Sequence, residues 1–293
     1  MKLATCTYFG SEQPALVSAA GDAVCLLPEN GFPYASMNDL ILNASPDDLA
    51  RIAHLEADGA HFIPLGEVRL CAPIPVPIQD VLCLGENYRA HVLEAARFLD
   101  KEADDKKSCI YFSKRTNRAT ADGEAIPSHR GVTSQLDYEA ELAFILGADA
   151  LNVPEEDAFK YIFGYTIIND ITARDLQRKH TQWYFGKSLE GFCPMGPWIV
   201  TADEIPAPPA LTIQSYVNGE LRQDSCTDHF IHTIPKMIAE LSSGMTLKAG
   251  TIISTGTPAG VGSGFIPPKY LQPGDEIVCK IEGIGTLTNR IAE

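Results

Sequence analysis

Residues 136–146 read LDYEAELAFIL, and they set Glu139 and Glu141 two apart inside a run that otherwise has the character of a buried strand. In a strand, residues i and i+2 point to the same face, so the two carboxylates stand side by side. On a half-buried face they repel one another and resist losing water. A hard divalent cation between them is one resolution, because it relieves the repulsion and replaces the lost hydration. A third ligand then has to come from another strand. Residues 166–175, TIINDITARD, offer Asp170 at the end of an apolar run. Two glutamates and an aspartate give all-oxygen ligation, which suits Mg²⁺ or Mn²⁺ better than zinc with its His and Cys preference. The competing reading is a solvated sheet face carrying both glutamates, with Asp170 capping a turn.

Three further segments carry side chains of chemical interest. In GENYRAHVLEAARF, residues 85–98, a helix from Tyr88 places His91 and Glu94 at i and i+3, on one face. A carboxylate that holds an imidazole fixes its tautomer and makes it a better base; the bland alternative is an exposed helical pair. Lys187 lies in the aromatic, Gly-rich WYFGKSLEGFCPMGPW, residues 183–198. It reads either as a cation offsetting a carboxylate or enolate, or as a surface lysine. STGTPAGVGSG, residues 254–264, follows the strand-like TIIS, and its backbone N–H groups and Thr257 could cradle an anion or form a simple turn. It has neither GxxxxGK[ST] nor GxGxxG, so a nucleotide site is not indicated.

The whole chain sets bounds on these readings. Its 293 residues suffice for one large domain, or for one domain and a smaller one. A net charge of −15 argues against a nucleic-acid partner, which needs a basic footprint. It leaves room for an anionic substrate, because a local cation overrides the global field. The eight cysteines include no CxxC and sit mostly in apolar runs, as buried reduced thiols do. No charged-then-apolar leader and no membrane-length apolar stretch is present, so a cytoplasmic protein without a membrane partner is expected.

Alternating short runs and two helices, SMNDLILN and SPDDLARIAHLEADG, suggest a small N-terminal α+β domain over residues 1–70. Ser45 suits the start of the second helix and Gly59 its end. Pro73, Pro75 and Pro77 mark residues 71–80 as a stiff linker. Residues 81–293 are dominated by strands. VNGE signals a hairpin, and a helix holds Pro235 within it or in its first turn. The fold class is α+β, mostly β.

Taken together and in this order, GENYRAH with Glu94, FSKR, DYEAEL, GYTIINDITARDLQ, GKSLEGFCPMGPW and STGTPAGVG resemble the fumarylacetoacetate hydrolase superfamily. The likeness is to its acylpyruvase and 2-hydroxyhepta-2,4-diene-1,7-dioate isomerase branch, and it continues to the C-terminus through LQPGDEIVCKIEGIGTLTN. The resemblance implies a mixed β-roll core, usually in a homodimer. It implies Mg²⁺ or Mn²⁺ held by Glu139, Glu141 and Asp170. It implies a His91–Glu94 dyad on a lid helix that orders with substrate, with Lys187 as a further catalytic residue. Substrate contacts follow for Arg174, Gln177, Thr257 and Lys114. Two departures bear on substrate range: the long charged FLDKEADDKKS at residues 98–108, and FSKRTN where KP or KxP is commoner.

The activity so implied acts on small 2-oxo acids. The first expectation is hydrolysis of a C–C bond in acylpyruvate-type substrates, with oxaloacetate decarboxylation as a further capacity. The alternative is an isomerase or tautomerase of hydroxymuconate-type or oxaloacetate-type acids. A non-catalytic binder on the same scaffold is opposed by the intact triad. The region from Tyr88 to Lys107 is expected to be mobile without ligand, because it has little to bury after Leu99.

Overall fold

The structure is a computed structural model that describes residues 1–99 and 108–293. Its spine is an eleven-stranded sheet. In spatial order this runs Ile63–Pro64, Ala23–Leu26, Ser11–Val17, Lys2–Tyr8, Met195–Thr201, Ile162–Asn169, Ala140–Leu146, Ile252–Ser254, Val81–Gly85 and Ile110–Lys114, with Arg69–Leu70 also paired to Lys2–Tyr8. A second sheet of five strands is ordered Glu220–Cys226, Thr212–Val217, Glu276–Ile281, Gly285–Ile291, Ala125–Ile126. Most pairings are antiparallel. Ile252–Ser254 runs parallel to Val81–Gly85, and Gly285–Ile291 to Ala125–Ile126, so both sheets are mixed. The expected α+β, mostly β class is what the chain forms.

The strand Ala140–Leu146 is buried along its whole length. Leu142, Phe144 and Leu146 enter one apolar core while Ala143 and Ile145 enter another. Covered on both sides, it reads as a continuous apolar run without alternation. Glu141 shares the parity, and hence the face, of Ala143 and Ile145.

The N-terminal residues extend this same sheet. Lys2 pairs with Val200 and Leu3 with Ile199. The proline-rich segment is packed down rather than exposed: residues 71–75 are buried, and the carbonyls of Pro73 and Pro75 accept from the Thr5 hydroxyl and the Ala119 N–H. Residues before 71 and after 80 thus both contribute strands to this sheet.

Local signals act where the sequence placed them, with small shifts. Ser45 and Asp48 form a capping box at the head of the helix Pro46–His54. That helix stops short of Gly59, which serves a later turn. Thr233 caps Ile234–Ser242, with Pro235 in the first turn. Asn218 and Gly219, both at positive φ, make the hairpin between Thr212–Val217 and Glu220–Cys226. The second of these strands is a polar edge strand, so hydrophobic pattern alone did not reveal it. All eight cysteines are free thiols. Among the described residues, no helix is long and apolar enough to cross a membrane.

Candidate metal and acid–base site

The strand containing the two glutamates is interrupted just where they begin. Leu136–Asp137 pairs with Thr172–Ala173, and Ala140–Leu146 starts anew beside Ile162–Asn169. Glu139 occupies the gap. Its N–H donates to Asn169 Oδ1 at 3.0 Å, and its carbonyl accepts from the Asp170 N–H at 2.8 Å. These cross-strand bonds fix Asp170 beside Glu139. The carboxylate oxygens of Glu139, Glu141 and Asp170 lie within 4.8 Å of one another. They are 4%, 2% and 0% exposed, which excludes the solvated sheet face.

Basic side chains compensate part of this charge. Lys187 Nζ lies 2.6 Å from Glu139 Oε2 and 2.7 Å from Asp170 Oδ2. Lys114 Nζ lies 2.6 Å from Asp170 Oδ1 and donates to the Ile171 carbonyl. Arg174 sets Nη2 2.6 Å from Glu139 Oε1 and Nε 2.8 Å from Asp137 Oδ2. Lys187 and Arg174 stand on neighbouring helical turns, Tyr184–Lys187 and Arg174–Lys179. Gly186 lets those turns touch, since a Cβ there would come within 2.6 Å of the Gln177 nitrogen.

Glu141 is treated differently. It accepts from Ser254 Oγ at 2.5 Å and from the Gly256 N–H at 3.0 Å, and among the described residues no ion pair reaches it. Burial pushes its carboxyl well above the usual carboxylate range, and the charges of Asp170 and Glu139 add to the rise. Burial also opposes ionisation of Glu139, but Lys187 and Arg174 outweigh it and hold that carboxyl low. Three cationic side chains thus face four carboxylates, counting Asp137. A divalent cation would displace the proton that burial keeps on Glu141, and with all four carboxyls then ionised the site would carry a single positive excess, which suits an anionic ligand. The all-oxygen, buried, closely spaced donor set fits a hard divalent ion.

The second group comes from the helix Arg89–Leu99. His91 Nδ1 lies 3.1 Å from Glu94 Oε2, and Glu94 Oε1 accepts from the Gly260 N–H at 3.0 Å. His91 and Glu94 line a cavity of about 390 Å³ together with Glu139, Glu141, Lys187 and Arg174. Gln177 and Thr257 line it too. Lys114 and Asp170 are completely buried beneath it and do not reach its surface. The hydroxyl of Thr257 is engaged within the scaffold, donating to the Ala140 carbonyl at 2.9 Å and accepting from Gln223 Nε2 at 2.7 Å.

The Gly-rich loop does cradle anions, but they are the protein's own. Gly256 N–H serves Glu141, Gly260 N–H serves Glu94, and the N–H groups of Gly262 and Ser263 serve Asp137. Asp137, Asn169 and Ser254 are site residues that the sequence reading missed. Asp137 had a signal, since it continues the two-residue spacing of Glu139 and Glu141. Ser254 and Asn169 had none, because their partners are distant in sequence. Of the region from Tyr88 to Lys107, expected to be mobile without ligand, residues 89–99 form a helix and residues 100–107 lie outside the described residues.

With this geometry established, comparison with known proteins is informative. Residues 80–292 match the family model described as fumarylacetoacetate (FAA) hydrolase C-terminal. Oxaloacetate tautomerase YisK of Bacillus subtilis (strain 168) is 49% identical over 233 residues, which are 80% of this chain and 76% of that protein. The fumarylacetoacetate hydrolase of psychrophilic Exiguobacterium antarcticum has the same fold, with a TM-score of 0.87 at 37% identity, over 100% of this chain and 99% of that one. Maleylpyruvate hydrolase from Sphingobium sp. SYK-6, solved in complex with manganese(II) and pyruvate, gives a TM-score of 0.77 at 28% identity, over 100% of this chain and 99% of that one.

Proposed function

The chain belongs to the fumarylacetoacetate hydrolase family, and from that premise we propose that it interconverts the keto and enol forms of a small 2-oxo acid, with oxaloacetate as the first candidate. The observation that carries this reading is the meeting of a proton-carrying pair, His91–Glu94, with the carboxylate triad in one cavity. The 49% identity to an oxaloacetate tautomerase supports the choice of substrate.

Glu139, Glu141 and Asp170 would hold Mg²⁺ or Mn²⁺, which supplies Lewis-acid stabilisation to a developing enolate. The remaining work falls to the chain's own side chains. Glu94 occupies His91 Nδ1, leaving Nε2 to exchange a proton. In the keto-to-enol direction the C3–H bond of the substrate breaks, its proton passes to Nε2, its electron pair forms the C2=C3 double bond, and the π pair of the C2 carbonyl moves onto the 2-oxo oxygen. A proton returned to that oxygen completes the enol. Arg174 and Lys187 offset the negative charge of the substrate carboxylates. A homodimer, as the resemblance implies, and a cytoplasmic location, as the buried reduced thiols suggest, are part of the same proposal.

A second reading, hydrolysis of acylpyruvates, rests on the bond from the Gly260 N–H, which fixes Glu94 as the acceptor for His91 and readies the pair to deprotonate water. One experiment separates the two. The protein is given enol-oxaloacetate, acetylpyruvate and fumarylpyruvate, each with Mg²⁺, with Mn²⁺ and with EDTA, beside metal-only controls. Faster loss of the enol absorbance, dependent on metal and protein together, is the expected result. Release of pyruvate from the acylpyruvates with unchanged enol decay would replace tautomerisation by hydrolysis.

A further inference from the structure

We infer that Asp137, with Tyr138 beside it, is a positioning residue that ties the proton-carrying pair to the carboxylate triad; the inference rests on the role given above to His91 and Glu94. Asp137 is completely buried and lines no part of the cavity. It stands outside the triad, yet its two oxygens accept four bonds. Oδ1 takes the N–H groups of Tyr138 at 3.0 Å and Gly262 at 2.6 Å. Oδ2 takes Arg174 Nε at 2.8 Å and the Ser263 N–H at 2.9 Å.

The loop bonds and the Arg174 bond lead to different halves of the site. Through Gly262 and Ser263, Asp137 holds the Gly-rich loop. Two residues upstream, Gly260 is gripped from both sides: its carbonyl accepts from Tyr138 Oη at 2.8 Å while its N–H donates to Glu94. Gly260 has a φ of +103°, and a Cβ there would lie 1.9 Å from the Arg222 carbonyl, so the loop follows one path only. The point at which Glu94 docks is therefore set by residues 137 and 138. Through Arg174 Nε, Asp137 fixes a guanidinium whose Nη2 reaches Glu139 and whose Nη1 reaches Gln177 Oε1 at 3.1 Å. One carboxylate thus sets the register between the proton carrier above the cavity and the substrate-facing cation at its wall. The position requires two oxygens, since an amide nitrogen would confront donors that are already in place.

Two substitutions dissect the tie. Tyr138→Phe removes only the grip on Gly260, while Asp137→Asn disturbs both arms. With Mn²⁺ and enol-oxaloacetate, Tyr138→Phe is expected to lower kcat roughly 5-fold with KM little changed, the value of one hydrogen bond. Asp137→Asn is expected to lower kcat by about 10- to 100-fold, as buried donors lose their acceptor, and also to raise KM through Arg174. In a Glu94→Gln background both effects on kcat should largely vanish, because the residues act through Glu94. Parental kcat in Tyr138→Phe with only a lower Tm would overturn the inference, and so would losses that add in full to that of Glu94→Gln. If Asp137→Asn does not fold, Tyr138→Phe decides alone. Amide exchange at Gly260 and across residues 89–96 reads the tie without any substrate. Faster exchange in Tyr138→Phe upholds it even if the parent protein leaves oxaloacetate untouched, a result that defeats only the proposed function. Unchanged exchange overturns the tie.

Discussion

Toward one end of the long sheet, fourth in from its edge, the strand Lys2–Tyr8 buries Leu3, Ala4 and Cys6 completely. In its middle, Ala140–Leu146 and Ile162–Asn169 bring Glu139, Glu141 and Asp170 into surroundings just as dry. The first region is held by burial that grows with area, so each side chain contributes on its own account. The second is held by cancellation: Lys187 answers Glu139 and Asp170, Lys114 answers Asp170, and Arg174 answers Glu139 and Asp137. Removing one member strands another in low dielectric. The two regions share a sheet and differ in what a single substitution does. The apolar end should lose stability while keeping its chemistry, and the charged middle should lose chemistry or stability according to which charge is left alone.

The largest expected effect tests the chemistry of the middle without touching its charge balance. Glu94→Gln should lower the proposed tautomerase kcat by about 10²–10⁴-fold, the usual contribution of general-base catalysis, because His91 loses the carboxylate that orients it and stabilises its protonated form. Glu94 supplies no ligand and answers no cation of the triad, so Mn²⁺ affinity by calorimetry should stay near the parental value. A variant that turns over at the parental rate would reduce the His91–Glu94 pair to a structural contact.

Lys114→Met carries the comparison to stability. It leaves Asp170 with Lys187 as its one remaining cation, and breaking a buried pair typically costs about 3–5 kcal/mol. A divalent ion at the triad supplies replacement charge. The drop in Tm should therefore be larger in EDTA than in Mn²⁺. Equal drops would mean that the ion does not reach Asp170.

Leu3→Ala is the counterpart at the apolar end. Truncating a fully buried leucine typically costs about 2–5 kcal/mol. Its denaturant midpoint should fall while kcat below the new transition is unchanged. A loss of kcat there would show that the N-terminal strands help shape the site through their pairing with Met195–Thr201.

How far the sequence could be read follows the same divide. Local rules placed a helix start at Ser45, the hairpin at VNGE and a buried strand within residues 136–146, because each depends on residues adjacent in the chain. The triad was legible because a same-face pair of carboxylates has to be explained. The hub at Asp137 was only half legible. Its spacing with Glu139 is visible, but its meaning lies in bonds to residues 174, 262 and 263. The anions held by the Gly-rich loop had the same character: donors can be read from glycines, whereas acceptors over 100 residues away cannot. Nor did the prolines of residues 71–80 reveal that Pro73, Pro75 and Pro77 would be buried.

The smallest effect concerns a carboxylate that belongs to neither regime. Asp122 accepts the Thr288 N–H at 2.7 Å, and burial raises its carboxyl above the usual range, with only that N–H opposing the rise. Unlike the triad it has no cation in answer among the described residues, and unlike Leu3 it gains nothing from leaving water. A raised carboxyl means that the folded state favours the protonated form. The stability linked to it is complete below the ordinary carboxylate pKa and declines as pH rises through the raised value. Asp122→Asn keeps an oxygen for Thr288 and removes the charge. It should gain a few tenths of a kcal/mol at pH 7, a modest figure because solvent still screens part of the group. The gain should shrink toward zero as pH falls below about 4, where the parental carboxyl is protonated in both states. Denaturant titrations of both proteins from pH 3 to pH 8 read this directly. A destabilised variant at pH 7 would show that Asp122 is worth more as an ionised acceptor than burial costs it, and would place it with the compensated charges of the middle.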